Sequence, residues 1–156
     1  MARTTFDQDI FVAASPTIVR ERLIKLMTDV TELHPFVIWT RHIRTTAAAD
    51  GAPVEHYLVR DRMKLGPFTL AFTYRVEMTA SAEGKLVSHA YQSPGIHLFN
   101  TTWCEPTANG TLIREHIDIT APCLLMKTTY KGAATAHKEM LARLKEAAEQ
   151  AQTLAR

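Results

Sequence analysis

A change of period at Pro122 constrains this chain more than any other feature. From about Val37 to Ala121 apolar residues fall at alternate positions, the period of strands with one buried face. The pattern predicts strands over 37–47, 54–64, 69–79, 85–92, 97–105 and 111–120. Turn signals separate them: Asp50-Gly51-Ala52-Pro53, Gly66-Pro67, Glu83-Gly84, Ser93-Pro94-Gly95 and Pro106 to Gly110. Connections this short imply antiparallel hairpins, because a parallel crossover needs about a dozen residues or more. After Pro122 the spacing becomes helical. Leu125, Thr129, Gly132, Ala136, Met140, Leu144 and Ala147 form one stripe running to about Ala155.

The N-terminal part adds a strand and a helix. Thr4 to Ala13 alternates at Phe6, Ile10 and Val12, and Ser15-Pro16 opens a helix with a capping hydroxyl followed by proline at the first position. A second short helical turn is predicted over Asp29 to Leu33, ended by Pro35. The order is strand, two helices, six strands and one long helix. The fold class is therefore α+β, a seven-stranded antiparallel sheet whose apolar face must be covered by the long helix. Strand twist lets the sheet wrap around it.

A length of 156 residues fits one domain spanning 1–156. Eighteen Lys+Arg against sixteen Asp+Glu give no electrostatic case for nucleic acid, and the basic residues show no cluster along the chain. No apolar run reaches the roughly 20 residues of a membrane span. The first residues lack the apolar centre of a signal peptide, so a cytoplasmic protein is expected. Cys104 and Cys123 have no metal-type spacing and read as small apolar residues of a reducing compartment. With seven scattered histidines and no phosphate loop, no metal or cofactor is expected, and the chain reads as a monomer or weak homodimer.

Parity assigns the faces. Leu70, Phe72, Tyr74, Val76 and Met78 share the apolar face of their strand. Pairing Trp103 with Ile113 places Phe99, Trp103, Ile113, Ile117 and Ile119 inside, and Asn100, Thr102, Cys104, Arg114, His116 and Asp118 outside. Ser88, Ala90 and Gln92 then face inward, His89 and Tyr91 outward. The parity of 54–64 stays open. This leaves Tyr74, Gln92, His97, Thr101 and Glu115 as polar groups on the inner face. A buried carboxylate needs a partner, and Arg41, Arg60 and Arg62 are the candidates for Glu115. The run Gly132-Ala133-Ala134-Thr135-Ala136 places small side chains on the helix opposite the sheet, which leaves room for a cavity.

The segment Ile10-Phe11-Val12-Ala13-Ala14-Ser15-Pro16, the loop from Asp29 to Pro35, Gly110-Thr111 at the last strand and Leu141-Ala142-Arg143-Leu144-Lys145 on the final helix together resemble the START-like, or SRPBCC, superfamily. That resemblance spans nearly the whole chain and implies a helix-grip fold, a single START-like ligand-binding domain. It implies a hydrophobic small molecule, lipid- or polyketide-like, as partner, held between the sheet and the last helix. The expected ligand-binding residues are Trp39, Phe72, Tyr74, Val76, Gln92, Phe99, Thr101, Trp103, Glu115, Ile117, Ala133, Ala136 and Met140. The alternative is an aromatase/cyclase or dehydratase, with Glu115 or Tyr74 moving protons.

Overall fold

The computed structural model describes residues 1–29, 31, 33–65, 67–81 and 84–155. In chain order β1 (Ala2–Val12), α1 (Pro16–Thr28), β2 (Val37–Ala47), β3 (Pro53–Leu65), β4 (Phe68–Ala80), β5 (Leu86–Gln92), β6 (Ile96–Thr107) and β7 (Gly110–Ala121) lead into α2 (Cys123–Leu154). The helical turn expected over 29–33 includes Val30 and Glu32, which lie outside the described residues. No described helix is long and apolar enough to cross a membrane.

The strands form one sheet in the order β1-β7-β6-β5-β4-β3-β2, antiparallel throughout. Consecutive hairpins build β2 to β7, and β1 joins at the β7 edge. Two adjacent residues permit that closure. A Cβ on Gly110 would lie 2.2 Å from the carbonyl oxygen of Val12, so only glycine lets the two chains approach this closely. The buried Thr111 hydroxyl then donates to Ala14 O at 2.9 Å.

Helix α1 starts as its sequence predicts, with Ser15 Oγ accepting from Ile18 N–H and Pro16 at the first position. The C-terminal half of α2 holds the β1–α1 connection in place. Glu149 accepts from Ala13 N–H at 2.9 Å, Gln152 from Ser15 N–H at 2.8 Å, and Lys145 Nζ donates to Phe11 O at 2.8 Å. Beneath them Val12, Val19, Leu23, Leu26, Ile113, Leu141, Leu144 and Ala148 form the main core.

Two face assignments differ from the sequence expectation. The buried stripe of α2 runs through Ala133, Ala136, Met140, Leu141, Leu144 and Ala148, turned from the expected Leu125–Thr129–Gly132 line. In β6 the register is one residue off: Ile113 pairs with Cys104 and Trp103 pairs with Arg114. Leu98, Asn100, Thr102 and Cys104 therefore face inward, and His97, Phe99, Thr101 and Trp103 outward. Aromatic content points to the wrong parity here, because the outer face carries its own stack. His89 lies 5.3 Å from His97 and 4.7 Å from Phe99 between ring centroids, and Tyr91 lies 4.7 Å from His97. The inward assignments on β4, β5 and β7 stand.

Candidate functional site

Close packing on one side of the sheet creates the space on the other. Ala133 packs with Ile117, Ile119 and Ala121, so the small residues bring α2 down onto the β7 side of the sheet. The curved sheet carries β3 to β5 away from the helix. A cavity of about 100 Å³ remains, walled by Leu23 and Leu26 of α1, by Tyr57, Val59, Tyr74, Val76, Met78 and Ala90 of the sheet, and by Met140 and Leu141 of α2. The polar residues His34, Ser88, Asn100, Thr102 and His137 also line it.

Of the residues expected to bind ligand, Tyr74, Val76 and Met140 line this cavity. Phe72 packs beside Tyr74 on the same face, with ring centroids 5.8 Å apart. Gln92, opposite Ile96, ends the inner row of β5. Ile117, Ala133 and Ala136 are core, with Ala136 only 4% exposed. Phe99, Thr101 and Trp103 face away from the cavity. Trp39 does too: it pairs with Arg60, and the Arg41 guanidinium lies 5.5 Å from its ring.

Glu115 sits just behind the cavity wall, 1% exposed. Its partner is not an arginine. β3 resolves with Tyr57, Val59 and Asp61 inward, which sends Arg60 outward to Thr73 at 3.0 Å. Arg41, opposite Leu58, shares that outer face, and Arg62 is exposed. Instead His137 Nδ1 lies 3.0 Å from Glu115 Oε1, Asn100 donates to the same oxygen at 2.7 Å, Thr102 at 3.3 Å, and Gln8 donates to Oε2. Burial pushes the carboxyl upward, but the charge and hydrogen bond of His137, with the bonds from Gln8 and Asn100, hold it below its ordinary range. Burial likewise disfavours a charged His137, and Glu115 outweighs it to raise the imidazole above its usual value. Residue 137 is four from Ala133 and four from Leu141, so the buried stripe itself was the signal that places it inside.

His34 faces His137 edge-on, ring centroids 6.5 Å apart. Burial and then the His137 charge push it down to about 3, so it is neutral at physiological pH. Its Nδ1 accepts from Phe36 N–H at 3.3 Å, which leaves Nε2 as the protonated nitrogen. His137, with Nδ1 turned to Glu115, has its own Nε2–H remaining. Both imidazoles line the cavity.

A second buried carboxylate is treated differently. Asp61, 5% exposed, accepts from the Tyr74 hydroxyl at 2.9 Å through Oδ2, while Oδ1 has no hydrogen-bond partner among the described residues. Desolvation raises Asp61 to about 6, and burial with the Asp61 charge keeps Tyr74 a phenol. No group of three or more potential metal-ligating side chains occurs among the described residues, and Cys104 and Cys123 are free thiols.

Neither a family model nor a curated protein matches the chain. Solved structures do. TTHA0849 from Thermus thermophilus superposes over 95% of this chain and 99% of its own, with a TM-score of 0.71 at 15% identity. The di-domain ARO/CYC BexL from the BE-7585A biosynthetic pathway matches over 94% of this chain with a TM-score of 0.73 at 13% identity. This chain is a helix-grip fold. It spans about half of BexL, 50% of that chain. Ara h 8.0201 shares the helix-grip architecture over 92% of this chain and 98% of its own, with a TM-score of 0.65 at 12% identity. At these identities the likeness is one of fold.

Proposed function

We propose that this domain binds a largely apolar small molecule and seats an oxygen of that molecule against His34 and His137. The observation that carries the reading is the Glu115-held His137 on the wall of a largely apolar cavity. An ionised carboxylate and a cationic imidazole in a core cost desolvation, and a ligand oxygen that accepts from the imidazole recovers part of it. The volume of about 100 Å³ holds one small ring, or the oxygenated end of a longer lipid- or polyketide-like chain whose remainder lies outside. Apolar walls supply affinity, at roughly 25 cal/mol per Å² buried before association costs.

Proton transfer is the second reading, favoured by one contrast. His137 is raised and His34 lowered on a single wall, and environments that push two titratable groups apart are those that assign acid and base roles. In that reading His137 protonates a carbonyl oxygen during ring closure or water loss, as in an aromatase/cyclase, and Glu115 positions it.

Titration with cyclohexanone and with methylcyclohexane, followed by amide chemical shifts, tests the binding reading. The ketone is expected to shift His34, Asn100 and His137 amides and to bind more tightly than the hydrocarbon. His137→Leu should erase that preference while sparing the hydrocarbon. Equal affinities in the parent protein would overturn it.

A further inference from the structure

One end of the molecule differs in character from the rest. The pairs Ala2–Ala121, His97–Thr120, Gln92–Ile96 and Leu65–Phe68 bring the start of β1, the β3–β4 and β5–β6 turns and the β7–α2 junction to the same end of the sheet. Apolar side chains stand open to solvent there: Leu124 in the first turn of α2 is 96% exposed, Phe68 at the β3–β4 turn 70%, and Leu70 beside it 50%. Phe68 and Leu70 belong to the inner row of β4 that farther along carries the buried Tyr74 and Met78, yet both stand open to solvent.

Cations predominate at this end, where the nearest acids are the buried Asp61 and Asp118 on the outer face. Residues 1–6, 62–76, 86–104 and 119–138 contain no Asp or Glu, although the chain has sixteen. Arg3, Arg62, Lys127 and Lys131 lie within these segments, all four exposed and none in an ion pair among the described residues. The acids concentrate elsewhere, at Glu105, Glu139, Glu146 and Glu149 for example. The segments are far apart in sequence, and only the fold gathers them.

We propose that this end docks peripherally on anionic lipid bilayers, with Leu124 and Phe68 entering the headgroup region and Arg3, Arg62, Lys127 and Lys131 on the lipid phosphates. Uncovered large apolar groups ringed by unpaired cations match a bilayer interface, which offers hydrocarbon at its boundary and negative charge at its surface. A nucleic acid would use the cations and leave Leu124 and Phe68 without a role. Such docking is reversible and salt-sensitive, because neither the apolar area nor the charge count suffices for permanent anchoring. It is independent of what the cavity holds.

Co-sedimentation of the full chain with phosphatidylcholine vesicles, with and without phosphatidylglycerol, tests it. The protein is expected to pellet with the mixed vesicles only and to be released by high salt. Lys127→Gln and Lys131→Gln should each weaken partitioning about fivefold. Leu124→Ser with Phe68→Ser, both at exposed positions, should abolish pelleting with an unchanged melting curve. No enrichment on the mixed vesicles overturns the proposal. So does duplex DNA binding that shares the lysine dependence while the vesicle signal ignores Leu124 and Phe68.

Discussion

Nδ1 of His137 lies 3.0 Å from Oε1 of Glu115, joining the middle of α2 to the middle of β7 through the interior. Glu115 is held below its ordinary range and His137 above its own, so each partner favours the charged form of the other. The carboxylate's contribution to stability is present above about pH 4.5 and lost as pH falls through its lowered value in the fold. The imidazole's is present below about pH 6.5 and lost as pH rises through its raised value.

Glu115→Gln should therefore destabilise the domain. It leaves a buried imidazolium without its counter-charge, at a cost of about 3–5 kcal/mol. Urea denaturation at pH 7 measures it, and a variant as stable as the parent would show that the pair is dispensable.

Asp61→Asn should have the opposite sign. The Asp61 carboxyl is raised to about 6, so its contribution is favourable below about pH 3.8 and lost as pH rises through 6. At pH 7 the fold carries a poorly solvated anion. The amide keeps an acceptor for Tyr74 and should stabilise by about 1–3 kcal/mol, with the gain shrinking at pH 5.

His34 makes the fold acid-labile. Its folded value of about 3 lies below the unfolded 6.5, so the unfolded chain binds a proton that the fold refuses. Stability should decline by about 3–5 kcal/mol as pH falls from 6.5 to 3. His34→Gln should flatten that part of the pH–stability curve, and an unaltered slope would assign the loss to other groups.

The cavity and the close-packed seam respond differently to added volume. Ala136→Leu should cost about 1–3 kcal/mol, because α2 rests tightly on the sheet there. Ala90→Leu extends into the cavity and should leave stability nearly unchanged while preventing ligand uptake. Trp103→Phe, on the outer face, should leave uptake intact. A Trp103 effect equal to that of Ala90 would return the β6 register to the expected one.

Order, strand limits and the long helix were legible in the sequence, because each rests on period and turn residues within a few positions of one another. So were the inner faces of β4, β5 and β7, where apolar alternation is unbroken. β6 was not: Phe99 and Trp103 satisfy an aromatic stack and a hydrogen bond to Glu105 on the outer face, so hydrophobicity alone inverts the strand. The burial of Glu115 was also legible, but its partner was not. Nothing in the chain shows that residue 137 of a helix meets residue 115 of a strand, or that β3 turns Arg60 away. The basic end has the same origin, with Arg3, Arg62 and Lys127 brought together only by the folded chain. Local periodicity fixes which residues share a face, since backbone geometry alternates them. Which groups meet across the interior depends on strand register and helix rotation, and these are decided by packing over the whole sheet.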